Sequence, residues 1–177
     1  MKLSDLTETV ARKNESPTPT NGSSGQTIED AQQYIWQHRR RGVACPCCDR
    51  VCKVYKRTVT GGMARWLIEL VKLWRKTGGR WVDITQKPMT DYHRSGDYGK
   101  LVYWGLCEPK PNTDRRKTRR SGLWRPTELG VAFVSDQKPI ARYCHVYLNK
   151  PIAFSGPDVT IQQALGTKFS YADVMRP

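Results

Sequence analysis

YWGLCEPKPNTDRRKTRRSGLWRPTELGVAFV, residues 103–134, changes character several times within one short span. Its first residues close SGDYGKLVYWGL (95–106), which predicts a helix turning Leu101, Val102 and Trp104 inward. Gly96 and Gly99 weaken that helix, because each costs about 1 kcal/mol in a helix interior. Two short extended pieces follow, around Leu106-Cys107-Glu108 and Leu123-Trp124-Arg125. Between them runs a Pro- and Gly-bearing loop. Its segment KPNTDRRKTRR (110–120) carries six cations, Lys110, Arg115, Arg116, Lys117, Arg119 and Arg120, against Asp114 alone. Thr127 and Glu128 then open a helix that runs through Phe133.

The flanks supply the remaining elements. GGMARWLIELVKLWRKTGG (61–79) places Met63, Trp66, Leu67, Leu70 and Trp74 on one helical face, with Arg65, Glu69, Lys72 and Arg75 elsewhere. Glu69 has Arg65 and Lys72 within helical reach, and Gly78-Gly79 stops the helix. RWVDITQ (80–86) predicts a short strand through Trp81, Val82 and Ile84. Further upstream, TIEDAQQYIWQHRRRG (27–42) begins with a capping pair, Thr27 and Asp30, and shares Ile28, Ala31, Ile35 and His38 on one face. Downstream, ARYCHVYLNKPIAFSG (141–156) predicts a hairpin turning at Asn149-Lys150, and DVTIQQALGTKFSYADVMRP (158–177) one or two short helices. NESPTPTNGSSGQ (14–26) has no apolar period and predicts a disordered tail.

Charge is the strongest global signal. The 177 residues hold 30 Lys and Arg against 16 Asp and Glu, a net charge of +14. Residues 1–26 cancel internally, so all of the excess belongs to the part that folds. Such a footprint favours a nucleic-acid partner over plain solubility. The N-terminus lacks an apolar signal core, and no run is long enough for a membrane helix, so a cytoplasmic protein with no membrane partner is expected. Thiols stay reduced in that compartment.

In order, helix, short strand, helix, YWGLCE, basic loop and LWRPTELGVAFV resemble a winged helix-turn-helix domain over residues 62–136. That family runs a helix ending in Gly-Leu into its first wing strand, here Gly105-Leu106. It closes the wing with an aromatic residue and an LT-x-x-G-x-x-F segment, here Trp124, Thr127, Gly130 and Phe133. Pro126 departs from the family's usual aliphatic residue. The resemblance implies an α+β fold: a winged helix-turn-helix core, a small Cys-rich N-terminal extension, and a C-terminal β-hairpin with short helices. Its expected divisions are a tail (1–26), a helix with a Cys-rich knuckle (27–60), the winged-helix domain (61–136), and a hairpin with helices packed on the core (137–177). It further implies double-stranded DNA as partner. The helix near 95–104 would then offer Lys100, Tyr103 and Tyr98 to phosphate or bases. His93 and Arg94 would meet the backbone, and Lys110, Arg115, Arg116, Lys117, Arg119 and Arg120 would follow phosphates or enter the minor groove. Residues 44–177 also resemble small bacteriophage-encoded proteins, through Cys45-Pro46-Cys47-Cys48, Gly62-Met63-Ala64, Lys100-Leu101, Tyr103-Trp104-Gly105-Leu106 and Ala164-Leu165-Gly166-Thr167-Lys168-Phe169. A viral protein acting in the bacterial host's cytoplasm is the implied setting.

ACPCCDRVCKVYKR (44–57) gathers four of the six cysteines. Cys45-x-x-Cys48 has the spacing of a zinc knuckle, and Cys52 offers a third thiolate for a structural Zn2+. The fourth ligand is open among Cys47, Cys107, Cys144, His145 and His93. Buried, metal-free thiols compete with that reading, whereas a redox centre lacks its usual context. Cys107 and Cys144 read as core. A scaffold, not a catalytic centre, is expected.

Converging catalytic groups are not evident. His38, His93 and His145 show no hydrolase spacing, and Asp91, His93 and Asp97 are explained by turn and cap chemistry. Three classes of function follow: a DNA-binding regulator or genome-handling accessory, an RNA or single-strand binder, and a protein-binding module such as an inhibitor of a host nucleic-acid machine or a virion component. Steep salt dependence separates the first two from the third.

Overall fold

Apolar side chains at i, i+3, i+4 and i+7 build the central element. Helix α2 (Gly61–Lys76) buries Met63, Ala64, Trp66, Leu67, Ile68, Leu70 and Val71 along its length. Thr60 caps its start by accepting from the Met63 N–H, and the chain turns off at Thr77 into Gly78 and Gly79, both at positive φ. Trp74 lies at the core margin, and Glu69 pairs with Lys72 at 3.6 Å. The expected helix is therefore present with its expected face.

The computed structural model describes residues 27–92, 96–111 and 122–176. The chain is mixed α+β with antiparallel sheets, and it divides into two units between Val54 and Tyr55. In the first unit, α1 (Ile28–His38) starts at the predicted capping box, Thr27 and Asp30 each bonding the other's backbone. Ala31 and Ile35 are buried, but Ile28 is 66% exposed. Strands β1 (Val43–Ala44) and β2 (Val51–Cys52) pair in the register Val43↔Cys52 and Ala44↔Val51.

The second unit begins with β3 (Tyr55–Thr58). These residues fall within the 27–60 division read from the sequence, yet they pair with β7 (Ile140–Tyr147) in the register Tyr55↔Val146 to Thr58↔Tyr143. Strand β8 (Lys150–Val159) completes the order β3-β7-β8. The β7–β8 turn sits at Leu148-Asn149, with φ 48° and 59°, one residue earlier than predicted. Both central residues are left-handed, the conformation that matches strand twist in a two-residue hairpin. Residue preference alone favours Asn149-Lys150, because Leu is a poor candidate for that region.

A second sheet, ordered β4-β6-β5, comprises β4 (Val82–Asp83), β5 (Cys107–Pro109) and β6 (Leu123–Pro126). Between β4 and β5 lie a 3₁₀ turn, Met89–Tyr92, and a 3₁₀ helix, Asp97–Trp104. The sequence predicts the second as a helix of ordinary pitch with Val102 inward. Instead Leu101 and Trp104 are buried and Val102 is 38% exposed. The cause is a strict three-residue period: Tyr98, Leu101 and Trp104 all pack on the core, and a helix of three residues per turn aligns them. Gly96 and Gly105, at φ 62° and 68°, bracket it.

The motif residues after it are explained by one crossing. Helix α3 (Glu128–Val134) is capped by Thr127, whose hydroxyl accepts from the Gly130 N–H and donates to the Gly105 carbonyl (2.5 Å). A Cβ at Gly130 would lie 1.9 Å from the Leu106 carbonyl oxygen, so only glycine admits this approach. Pro126 closes β6 opposite Cys107, beyond the reach of β4, where its missing N–H breaks no ladder on that side. Trp104 donates its indole N–H to the Ala141 carbonyl at 2.8 Å, linking the 3₁₀ helix to β7. The C-terminal helices α4 (Ile161–Leu165) and α5 (Tyr171–Met175) cover α2. Lys72 donates to the Val174 carbonyl at 3.0 Å, and Gly61 packs against the Leu165 carbonyl. Trp66, stacked on Tyr98 (4.7 Å) and edge-on to Trp124 (5.9 Å), forms the aromatic centre. Among the described residues, no helix is long and apolar enough to cross a membrane.

Candidate nucleic-acid interface and cysteine cluster

The residues expected to meet a polyanion divide into three groups. Arg94, Arg115, Arg116, Lys117, Arg119, Arg120 and His93 lie outside the described residues. Lys100 and Tyr103 share one row of the 3₁₀ helix, away from the buried Leu101 and Trp104. Lys100 is ion-paired with Asp97, three residues earlier, and Tyr103 is half-buried against the core. Tyr98 is engaged by Trp66 and Trp124 and belongs to the packing rather than the surface. Lys110 is exposed at the end of β5, with its N–H donated to the Leu123 carbonyl at 2.8 Å. The β5–β6 ladder thus places Lys110, after β5, and Gly122, before β6, at the same end of the sheet. On this hairpin Arg125 bonds Glu108 across the strands (2.5 Å) and stacks over Trp81 at 4.5 Å. That cation is committed to the fold.

The other sheet carries a basic and aromatic surface that the sequence reading does not single out. Lys56 lies over the Tyr143 ring at 3.7 Å, with Arg142 at 6.0 Å from the same ring. His145 shares a 2.7 Å hydrogen bond with Ser155 and stands opposite Lys56 in the register. The signal in the sequence is the interleaving of cation and aromatic in YKR (55–57) and ARYCH (141–145). It becomes informative only once the register places Lys56, Thr58, Tyr143 and His145 on one face.

The cysteines separate into two kinds. Cys107 and Cys144 are buried in the core of the second unit, and burial pushes both thiols up; Glu108 adds to the effect at Cys107. The other four sit on the β1–β2 hairpin. The Cys45 N–H donates to the Arg50 carbonyl (2.9 Å), and the Cys45 carbonyl accepts from Cys48 (3.3 Å) and Asp49 (2.9 Å). Asp49 takes φ 58°, which turns the chain back toward β2. Hydrogen bonding, chiefly from the Cys47 backbone, holds the Cys45 thiol below its ordinary value. Cys47 and Cys52 are shifted up by desolvation and by the neighbouring Cys45. Among the described residues, no group of three or more His, Cys, Asp or Glu side chains is placed so that it could hold a metal ion. No protein-family model, curated protein or solved structure matches the chain.

Proposed function

We propose that the protein binds double-stranded DNA, using residues 61–136 as a winged helix-turn-helix frame. The observation that carries this reading is topological. Helix α2, strand β4, a 3₁₀ turn and a 3₁₀ helix precede a β5–β6 hairpin whose second strand inserts between β4 and β5. This is the order expected of that fold, and the segment that joins β5 to β6 is the most cationic stretch of a chain of net charge +14. Phosphate contacts by Lys110 and by Arg115, Arg116, Lys117, Arg119 and Arg120 would position the domain; Lys100 and Tyr103 would approach the major groove. Lys100 must trade its Asp97 partner for phosphate. A role as a phage regulator or genome-handling accessory fits this activity.

The test is fluorescence anisotropy with random-sequence duplex and single-stranded DNA across a salt series. Tight duplex binding with a steep logarithmic salt slope is expected. Replacing Arg115, Arg116, Arg119 and Arg120 together by Ala should weaken binding at least tenfold and flatten the slope by about 3 to 4, given roughly 0.9 for each phosphate no longer neutralised. Unchanged affinity in that variant sinks the wing assignment. A second reading, single-strand or RNA binding, is favoured by the Lys56–Tyr143–Arg142 surface, where a base can stack on Tyr143. Preference for single strands, lost in Tyr143→Ala, would select it. Binding that is absent at low salt would leave a protein partner.

A further inference from the structure

We propose that residues 27–54 form a metal-closed module, in which Cys45, Cys47, Cys48 and Cys52 hold a single Zn2+ ion that serves as the unit's core. Three observations converge on it. First, this unit has almost nothing else to close it. Its described residues bury only Ala31, Ile35 and Val43 among apolar side chains, while Trp36 and Val51 are 52% and 64% exposed. A piece of chain this short needs a cross-link or a metal to hold one structure. Reduced thiols leave the metal.

Second, the backbone is already shaped for it. Strands β1 and β2 bring Val43 opposite Cys52, so the third thiol returns beside the Cys45–Cys48 turn. Bonds from Cys48 and Asp49 to the Cys45 carbonyl fix that turn, and the Cys45 N–H donated to the Arg50 carbonyl ties it to the returning strand. Closing the group around an ion needs side-chain rotation at a preformed hairpin rather than a change of register.

Third, the surroundings offset the charge. Four thiolates on a divalent ion leave a net −2, and residues 27–54 carry Arg39, Arg40, Arg41, Arg50 and Lys53 against Glu29, Asp30 and Asp49, a net of +2. The Arg39 carbonyl also accepts from the Val54 N–H at 2.8 Å, fastening the end of β2 to the end of α1. An all-sulfur donor set selects zinc-type ions over magnesium or calcium, and a closed four-ligand site is structural. The four thiol protons leave to solvent as the ion enters. None of this depends on what the second unit binds.

The experiment uses the full-length, fully reduced protein, freed of metal by chelation and titrated with Co2+ and then Zn2+. One equivalent of Co2+ is expected to give tetrahedral thiolate absorption, which Zn2+ abolishes by displacement. Cys45→Ser, Cys48→Ser and Cys52→Ser should each weaken binding at least tenfold. Cys47→Ser should also weaken it and lower the thiolate band by about a quarter. Cys107→Ser and Cys144→Ser should leave the stoichiometry unchanged. Hydrogen exchange on the same samples should show chelation stripping protection from residues 43–54 while sparing residues 61–76. Absence of cobalt–thiolate absorption overturns the site. A Cys47→Ser protein with undiminished band and affinity overturns the four-thiolate set. Unchanged protection after chelation overturns the claim that the ion is the module's core.

Discussion

The two units of this chain bury apolar surface on very different scales. Among the described residues, those after Val54 enclose twenty-five buried apolar side chains around α2, whereas residues 27–54 enclose three. Both use the same local devices. Thr27, Thr60, Thr127 and Thr160 all cap helices, and two-residue strands occur in each unit. Caps and strand pairs therefore do not decide whether a unit stands alone. Each is worth about 1 kcal/mol or less, and only burial on the scale of the second unit outweighs the entropy of ordering a chain. The difference teaches where to look for stabilisation: apolar contact supplies it in the second unit, and in the first the proposed ion at the thiol cluster would.

The sharpest way to break the comparison is Gly130→Val. A side chain there meets the Leu106 carbonyl at 1.9 Å, within backbone that cannot yield cheaply. A loss of about 3 kcal/mol or more is expected for the second unit, measured by urea unfolding followed through tryptophan fluorescence. Next in size is the pair Leu101→Ala and Val102→Ala. With Leu101 fully buried and Val102 38% exposed, the first should cost about 2–5 kcal/mol and the second about 0.5 kcal/mol or less. Equal costs would mean that the segment is a helix of ordinary pitch.

A smaller effect tests the buried thiols of the second unit. Cys107 is held protonated in the fold, so its folded pKa lies above its unfolded value. Once pH exceeds about 8.5, the unfolded chain has released a proton that the folded chain retains, and stability falls as pH rises further. The slope of stability against pH above that point should be reduced in Cys107→Ala; an identical slope would remove Cys107 from the account. The smallest effect sharpens the comparison itself. Thr127→Ala should lower the stability of the second unit by about 1 kcal/mol without local fraying. Thr27→Ala should instead fray the start of α1 visibly in amide exchange, because Ala31 and Ile35 are the only side chains the helix buries among the described residues.

Periodicity makes α2 and α3 legible, since Trp66, Leu67 and Leu70 mark a face that no other structure buries. The capping pair at Thr27 and Asp30 is equally readable, being a local reciprocal bond. The 3₁₀ helix is not: Tyr98, Leu101 and Trp104 satisfy an i, i+3 pattern that an ordinary helix also shows, and the pitch is decided by the core they enter. The hairpin turn falls at Leu148-Asn149 because strand pairing sets the register there, overriding the local preference of Leu. At the cysteines, spacing singles out Cys45, Cys48 and Cys52. Spacing leaves Cys47 as one of several candidates for a fourth ligand, alongside Cys107, Cys144, His145 and His93. Spacing alone does not show the Lys56–Tyr143 pairing, whose partners come from strands far apart in sequence.

The pitch of the segment Asp97–Trp104 also sets the shape of what it can touch. A 3₁₀ helix rises about 2.0 Å per residue and stacks every third side chain directly above the last, so Asp97, Lys100 and Tyr103 stand in a single file with neighbours about 6 Å apart. An ordinary helix would spread the same residues around a broad face. On the proposed DNA-binding reading, such a file would meet successive groups along one strand rather than spread over a broad face, with Lys100 and Tyr103 as its contacts and Asp97 as the partner Lys100 must leave.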